Sequence, residues 1–230
     1  MEIELNDYQI EQFINYYSIL IEWNQVMNLT AITEYEEVVN KHFIDSLSLI
    51  KTIDRKIFRS GSISVIDIGT GAGFPGIPLK IAFPEIKITL LDSLNKRIKF
   101  LNEVVEEIGL KEVQTLHGRA EDYARKHEYR EKYDLCVSRA VANLAILSEY
   151  ALPYVKKSGY FISYKSGNIE EEIKESTKAV EILGGKIEKI EKFTLPETEI
   201  QRSLVKIRKE NSTGKKYPRK AGVPSKEPLK

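Results

Sequence analysis

Residues 63–79 read Ile63-Ser-Val-Ile-Asp67-Ile-Gly69-Thr-Gly71-Ala-Gly73-Phe74-Pro75-Gly76-Ile-Pro78-Leu79. Ile63 to Ile68 is a β-branched apolar run interrupted only by Ser64 and Asp67, which predicts a buried strand. Glycines at 69, 71, 73 and 76 follow, and then an apolar stretch that opens a helix. Strand, glycine turn and helix start together predict a nucleotide-type crevice at the carboxyl edge of a parallel sheet. Glycine suits this turn because it visits positive φ and lets a ligand meet bare backbone.

The next strand, Ile86 to Leu91, ends at Asp92, 23 positions after Gly69. That spacing is near the one expected of an acid that takes ribose hydroxyls, and a carboxylate offers two acceptor oxygens for the task. A dinucleotide and S-adenosylmethionine are the two candidate ligands. Pyrophosphate needs free N–H groups at the helix start, where Pro75 and Pro78 give none. Asp67 would repel a phosphate but attract the methionyl ammonium, directly or through water. The turn, with Gly69, Gly71, Gly73 and Phe74, therefore reads as a methyl-donor site, a dinucleotide being the minority reading.

Downstream, strands and helices alternate. Strands are expected at 63–68, 86–91, 113–117, 133–138 and 160–164, with helices between them. Gly184-Gly185 then precede two β segments, 186–194 and 199–208. The fold class is α/β, a doubly wound, mostly parallel sheet with a C-terminal antiparallel hairpin. Upstream, apolar residues recur at helical spacing over 6–27, and Thr33-x-x-Glu36 looks like a capping box that opens a second helix to about Thr52. His42 on that helix reads either as a partly buried helix residue or as one facing a substrate mouth. The chain divides into an N-terminal helical extension (1–55), a ligand-binding domain (56–209) and a basic tail (210–230).

Strand ends line the crevice of such a sheet. Beyond Asp92 these ends carry Ala120-Glu121, Ser138-Arg139 and Lys165. Glu121 is read as a helix-start acid or an adenine-edge contact, with Ala120 supplying backbone N–H. Arg139 reads either as a surface salt bridge or, directly after an apolar strand, as the holder of a carboxylate or phosphate through its two-pronged donors. Cys136 lies inside a strand and reads as an inert buried thiol, against a cysteine-nucleophile route.

Composition bounds the rest. The 230 residues are 42% hydrophobic and 30% charged, ordinary for a globular protein. No apolar run approaches a membrane span, and the acidic N-terminus is unlike a signal peptide. One cysteine and three histidines without ligand spacing predict no disulfide and no metal site. Net charge is +1, but Lys206 to Lys230 carry nine Lys or Arg against two Glu, a local +7 over a body of −6. The segment from Lys209 is expected to be mobile. It reads either as a solvated, solubilising end or as a phosphate-binding one, with Lys215, Lys216, Arg219, Lys220 and Lys226 touching nucleic-acid phosphates and Tyr217 stacking on a base.

Several segments together resemble one family: Trp23-Asn24…Asn28-Leu29-Thr30, His42…Asp45-Ser46-Leu47, Asp67 to Leu79, Leu91-Asp92-Ser93…Lys96, Gly118-Arg119-Ala120-Glu121, Ser138-Arg139-Ala140-Val141-Ala142 and Tyr217 to Pro224. This set is similar to RsmG (GidB), bacterial methyltransferases that make 7-methylguanosine in 16S ribosomal RNA. The resemblance implies a Rossmann-like class I methyltransferase fold and S-adenosylmethionine contacts at Gly69, Phe74, Ala120, Glu121 and Arg139. The family's Lys-Gly after the fifth strand reads Lys165-Ser166-Gly167 here, and Lys165 is carried over as an RNA contact. Guanine N7 has a free lone pair, so no catalytic acid or base is expected. The implied partner is ribosomal RNA or the small subunit, met by a cytoplasmic monomer. The rival classes are a small-molecule methyltransferase, a non-catalytic ribosome-assembly RNA-binding protein and a nicotinamide-dependent oxidoreductase.

Overall fold

Strand β1 (Ser64–Ile68) sends successive side chains to opposite faces, and this alternation sets the layers. Val65 enters one apolar cluster, while Ile66 and Ile68 enter a second on the other face. The structure is a computed structural model that describes residues 3–59, 63–139 and 141–230. Ala140 of the Ser-Arg-Ala motif and part of the 55–62 connection lie outside the described residues.

The other strands are β2 (Lys87–Asp92), β3 (Val113–His117), β4 (Tyr133–Arg139), β5 (Val155–Ser166), β6 (Gly185–Thr194) and β7 (Gln201–Lys209). They form one sheet in the order β3-β2-β1-β4-β5-β7-β6. β1 to β5 pair in parallel, and β7 runs antiparallel to β5 and β6. The doubly wound sheet and the final hairpin are as the pattern predicts. β5 is longer than expected because it begins at Val155, directly after a 3₁₀ turn over Leu152–Tyr154.

One face carries α1 (Asp7–Met27), α2 (Tyr35–Val38), a π-helical turn (Val39–Ile44), α3 (Asp45–Leu47), α4 (Gly76–Ala82) and α5 (Asn95–Glu107). The other carries α6 (Ala120–Tyr123), α7 (Leu144–Ala151) and α8 (Glu170–Ile182). α1 starts at a capping box in which Asn6 and Gln9 exchange side-chain and backbone bonds. The box expected at Thr33 is not formed. Glu34 holds the cap position without a side-chain bond, and Glu37, three residues on, pairs with Lys41 instead.

α1 docks through Phe13, Tyr16 and Leu20, each buried in the first cluster. Each such side chain contributes about 1.5–3 kcal/mol on leaving water. Buried Gln9 and Gln12 donate to the carbonyls of Ile81 and Ile108, which ties α1 to the ends of α4 and α5.

The segment after β7, expected from its composition to be mobile, is docked on the body. Buried Lys209 donates to Leu152 O at 2.5 Å, and burial brings its pKa down to about 8. Thr213 donates its backbone N–H to Glu131 Oε1 (2.8 Å) and its hydroxyl to Leu183 O (2.7 Å). Arg130 Nη1 donates to Tyr217 O (2.9 Å) and Arg125 Nη2 to Pro218 O (2.6 Å). Tyr217 is buried in the second cluster, so its ring is not a free stacking platform. Body arginines and acids satisfy the tail's polar backbone, and composition alone does not disclose such partners. The segment ends with α9 (Val223–Lys226).

Candidate functional site

The glycine turn hangs from the end of β2. Gly69 N–H and Thr70 N–H both donate to Leu91 O, at 2.8 and 3.2 Å. Gly69 and Gly71 have φ of +67° and +62°, the left-handed region where a side chain is strained. A Cβ on Gly71 would meet nothing within 4 Å, so this backbone faces open space. A Cβ on Gly73 would strike Ile77, the Tyr16 hydroxyl and Leu101. Gly73 therefore lets α1 and α5 close over the turn, a different task from the ligand contact expected of it. Tyr16 completes that closure by donating its hydroxyl to Ala72 O.

Asp67 shares a face with Val65 and lies fully buried under the turn. Its Oδ2 accepts from the Thr70 hydroxyl (2.7 Å) and the Gly76 N–H (2.9 Å), so it caps the start of α4 from the strand below. Its Oδ1 is buried without a partner among the described residues. Burial pushes its pKa up to about 7. A direct ammonium contact is not what this placement provides, because the carboxylate is enclosed by the turn itself.

Asp92, nearly fully buried, forms the crevice floor. Its Oδ1 accepts from Leu94 N–H (2.9 Å), and its Oδ2 from Gly71 N–H (3.0 Å) and Arg97 Nη1 (3.2 Å). These bonds tie the glycine turn to β2 and hold the carboxylate at one height. Around it lies a cavity of about 210 Å³, with Gly69 at the turn, Ala120 and Glu121 on one side and Val141 and Tyr150 on the other. This set fits an adenosine-type ligand: an acid at a strand end, open glycine backbone, and apolar surface from Ile68, Leu91, Val141 and Tyr150 beside the polar Glu121.

Arg139 lines a second cavity, of about 570 Å³, with His42, Asp45, Lys165, Glu172 and Arg202. It shares the face of Leu135 and Val137, the face covered by the N-terminal extension. Its Nη1 donates to Asp45 Oδ2 (2.9 Å) and Lys41 O (3.1 Å), and its guanidinium lies 5.0 Å over the Phe74 ring. Asp45 also lies 3.3 Å from Arg202 Nε. Phe74 is buried and stacks on His42 at 4.4 Å between ring centroids. Any ligand contact by Phe74 therefore runs through its backbone or ring edge.

Arg139 Nη2 lies 3.1 Å from His42 Nδ1. Since a guanidinium only donates, Nδ1 accepts and Nε2 carries the proton, donating to Thr30 Oγ1 at 2.8 Å. Burial first, and Arg139 second, bring the His42 pKa down to about 4, so the ring is neutral at neutral pH.

Lys165 donates to Ala142 O and Glu172 Oε1, both at 2.6 Å. Arg219 grips fully buried Glu149 through Nε (3.0 Å) and Nη2 (2.7 Å), so its charge is already matched. Lys215, Lys216 and Lys220 are exposed. Cys136 is buried, as its strand position predicts. Sequence reading placed Arg139 at a strand end but missed Asp45 and Arg202 as its partners. His42 and Asp45 sit one helical turn apart, a signal the sequence carries; Arg202, from the antiparallel strand, leaves no local trace.

A family model described as GidB, rRNA small subunit methyltransferase G, matches residues 9–205. A ribosomal RNA small subunit methyltransferase G of Lachnoclostridium phytofermentans is 58% identical, covering 99% of this chain and 92% of its own. One of Clostridium botulinum (strain Loch Maree / Type A3) is 55% identical, covering 100% and 95%. Among solved structures, M. jannaschii TYW2 in complex with AdoMet aligns at TM-score 0.52 and 18% identity over 69% of this chain and 74% of that one. A sarcosine dimethylglycine methyltransferase-like structure from Galdieria sulphuraria aligns at TM-score 0.53 and 12% identity, over 73% and 86%. These structural likenesses speak for the fold alone.

Proposed function

The chain belongs to the rRNA small subunit methyltransferase G (GidB) family, and from that premise we propose that it methylates N7 of a guanine in 16S ribosomal RNA with S-adenosylmethionine as donor. The observation that carries this reading is that the end of β4 and the residues after it line two cavities, Val141 the first and Arg139 with Ala142 the second. The crevice over Asp92 suits the donor, and the cavity at Arg139 suits the acceptor nucleotide. Asp92 would take the ribose hydroxyls, Gly69 and Gly71 the close approach of backbone, and Ala120 with Glu121 the adenine edge. Arg139 lines the second cavity, where it would orient a carboxylate or phosphate.

Bound there, S-adenosylmethionine supplies an electrophilic sulfonium methyl. Guanine N7 brings its own lone pair at neutral pH, so no proton has to be removed. The residues of the second cavity agree with that. His42 is neutral but accepts from Arg139 and donates to Thr30, and Asp45 is paired with two arginines. What the chain contributes is proximity and orientation. His42, backed by the buried Phe74 ring, lines this cavity and would meet a base there, and Lys41, Arg139 and Arg202 offer positive charge for nucleotide phosphates. The enzyme works as a cytoplasmic monomer on this reading.

The test is methyl transfer from labelled S-adenosylmethionine to ribosomal RNA, naked and in small subunits lacking the modification. Label is expected in 7-methylguanosine. Label in another nucleoside would discard the acceptor atom, and label only in small molecules would discard the RNA substrate.

A further inference from the structure

The donor crevice has two flanks that the chain brings together from separate elements. Gly118 to Glu121 precede and open α6; Val141 and Tyr150 stand before and on α7. The C-terminal segment touches both. Gly222 N–H donates to Glu121 Oε1 at 3.1 Å. Arg219 donates backbone N–H (2.7 Å) and guanidinium to Glu149, the neighbour of Tyr150, and Ser225 Oγ donates to Gly222 O (2.9 Å), which closes the turn of the segment on itself. Arg125 and Arg130, a few residues after Glu121, hold carbonyls of residues 213–218.

We propose that residues 217–226 form a strap that fixes the adenine-side wall of the donor crevice, with Arg219 and Gly222 as positioning residues for Tyr150 and Glu121. The proposal rests on the reading of that crevice as the donor site. The Glu121 and Glu149 side chains are buried at 4% and 0% exposure, and polar oxygens taken out of water need hydrogen-bond donors. The strap supplies them. One Glu121 oxygen is held by Gly222, which leaves the other to meet a ligand donor. Gly222 has φ +84°, and a Cβ there would meet nothing within 4 Å. Glycine is therefore required by the left-handed backbone that turns the N–H toward Glu121, not by lack of room. Fixing these side chains before the ligand arrives removes an ordering cost from binding. Thermodynamic reciprocity then requires that ligand fixes the strap as much as the strap tightens ligand.

The experiment uses the full chain and S-adenosylhomocysteine as probe. Calorimetry compares wild type, Arg219→Ala and Arg219→Lys, and hydrogen exchange follows residues 211–226 of wild type with and without the probe. Arg219→Ala is expected to raise the probe's Kd about tenfold or more, Arg219→Lys to recover part of the loss, and kcat at saturating donor to hold while donor KM rises. Exchange in residues 217–226 is expected to slow when the probe binds. A folded Arg219→Ala variant with wild-type Kd would overturn the strap. So would wild-type exchange indifferent to bound probe, which decides the matter even if the variant does not fold. Wild type that fails to bind the probe at all would instead remove the donor-site reading itself.

Discussion

Single carboxylates hold the turn from two sides, and each makes a separable prediction. Asp92 gathers Gly71, Leu94 and Arg97 on its two oxygens. Asp92→Ala removes these charge-assisted bonds, each worth roughly 1.5–3 kcal/mol. It is expected to raise the donor Kd by about 10- to 100-fold, with RNA affinity unchanged. Arg139→Ala, in the second cavity and over the Phe74 ring that follows the glycine turn, is expected to weaken both donor and RNA binding. Calorimetry with the donor and filter binding with RNA distinguish the two patterns, and unchanged affinities in both variants would remove both residues from the site. Asp67 predicts a pH dependence. Its pKa lies near 7 in the folded chain and near 3.8 unfolded, so between those values the folded form binds a proton that the unfolded form lacks. Stability attributable to Asp67 therefore falls as pH rises from about 4 to about 7 and is flat above. His42 opposes this, because its depressed pKa adds stability as pH rises from about 4 to 6.5. The Asp67→Asn variant should accordingly gain on wild type in denaturant midpoint across the acid window only, and a pH-independent difference would contradict the assignment.

At the scale of elements, α1 is part of the site although its residues touch neither cavity. Tyr16 is fully buried and donates to Ala72 O inside the glycine turn. Tyr16→Phe leaves that carbonyl unpaired, a cost of about 1–3 kcal/mol. The variant should unfold at lower denaturant and bind donor more weakly, whereas Tyr17→Phe, whose hydroxyl bonds exposed Thr33 O, should do neither. Equal behaviour of the two variants would separate α1 from the turn. The period of α1 and the Phe13, Tyr16 and Leu20 part of its buried face were legible in the sequence from helical spacing. Apolar Tyr8 and Ile10 are nonetheless exposed while Gln9 and Gln12 are buried, because carbonyls at the ends of α4 and α5 accept the two amides. The start of α2 was not legible. Thr33 and Glu36 have the right identities, yet the helix begins one residue later, and a capping box tolerates no such shift.

Across the whole molecule, charge separates by location more than by amount. Of the tail cations, Arg219 is matched by Glu149, while Lys215, Lys216 and Lys220 remain exposed and, with Lys41 and Arg202 at the second cavity, would meet RNA phosphates. Lys215→Ala with Lys220→Ala should weaken RNA binding and lower the salt slope by about 0.7 per lost contact to a single strand, or about 0.9 to a duplex. Donor affinity should stay at the wild-type value. An unchanged slope would assign the RNA footprint to the cavity cations alone.

The sequence by itself determined the sheet, the glycine turn and the acid at the end of β2. These depend on short-range rules: alternation along a strand, φ at a turn, and the fixed distance from one strand end to the next. The alternation even places Arg139 on the face of Leu135 and Val137. Only the tertiary structure decided what meets Arg139 there, since His42, Asp45 and Arg202 come from segments about 60 to 100 residues away on either side. It alone decided the tail. Nine basic residues in 25 predict a solvated chain, and the buried Glu149 and the carboxylate of Glu121 that capture it lie 70 and 101 residues earlier. No local pattern announces a buried acid waiting for a distant donor, because its partner is chosen by the folded surface and not by neighbours in the chain.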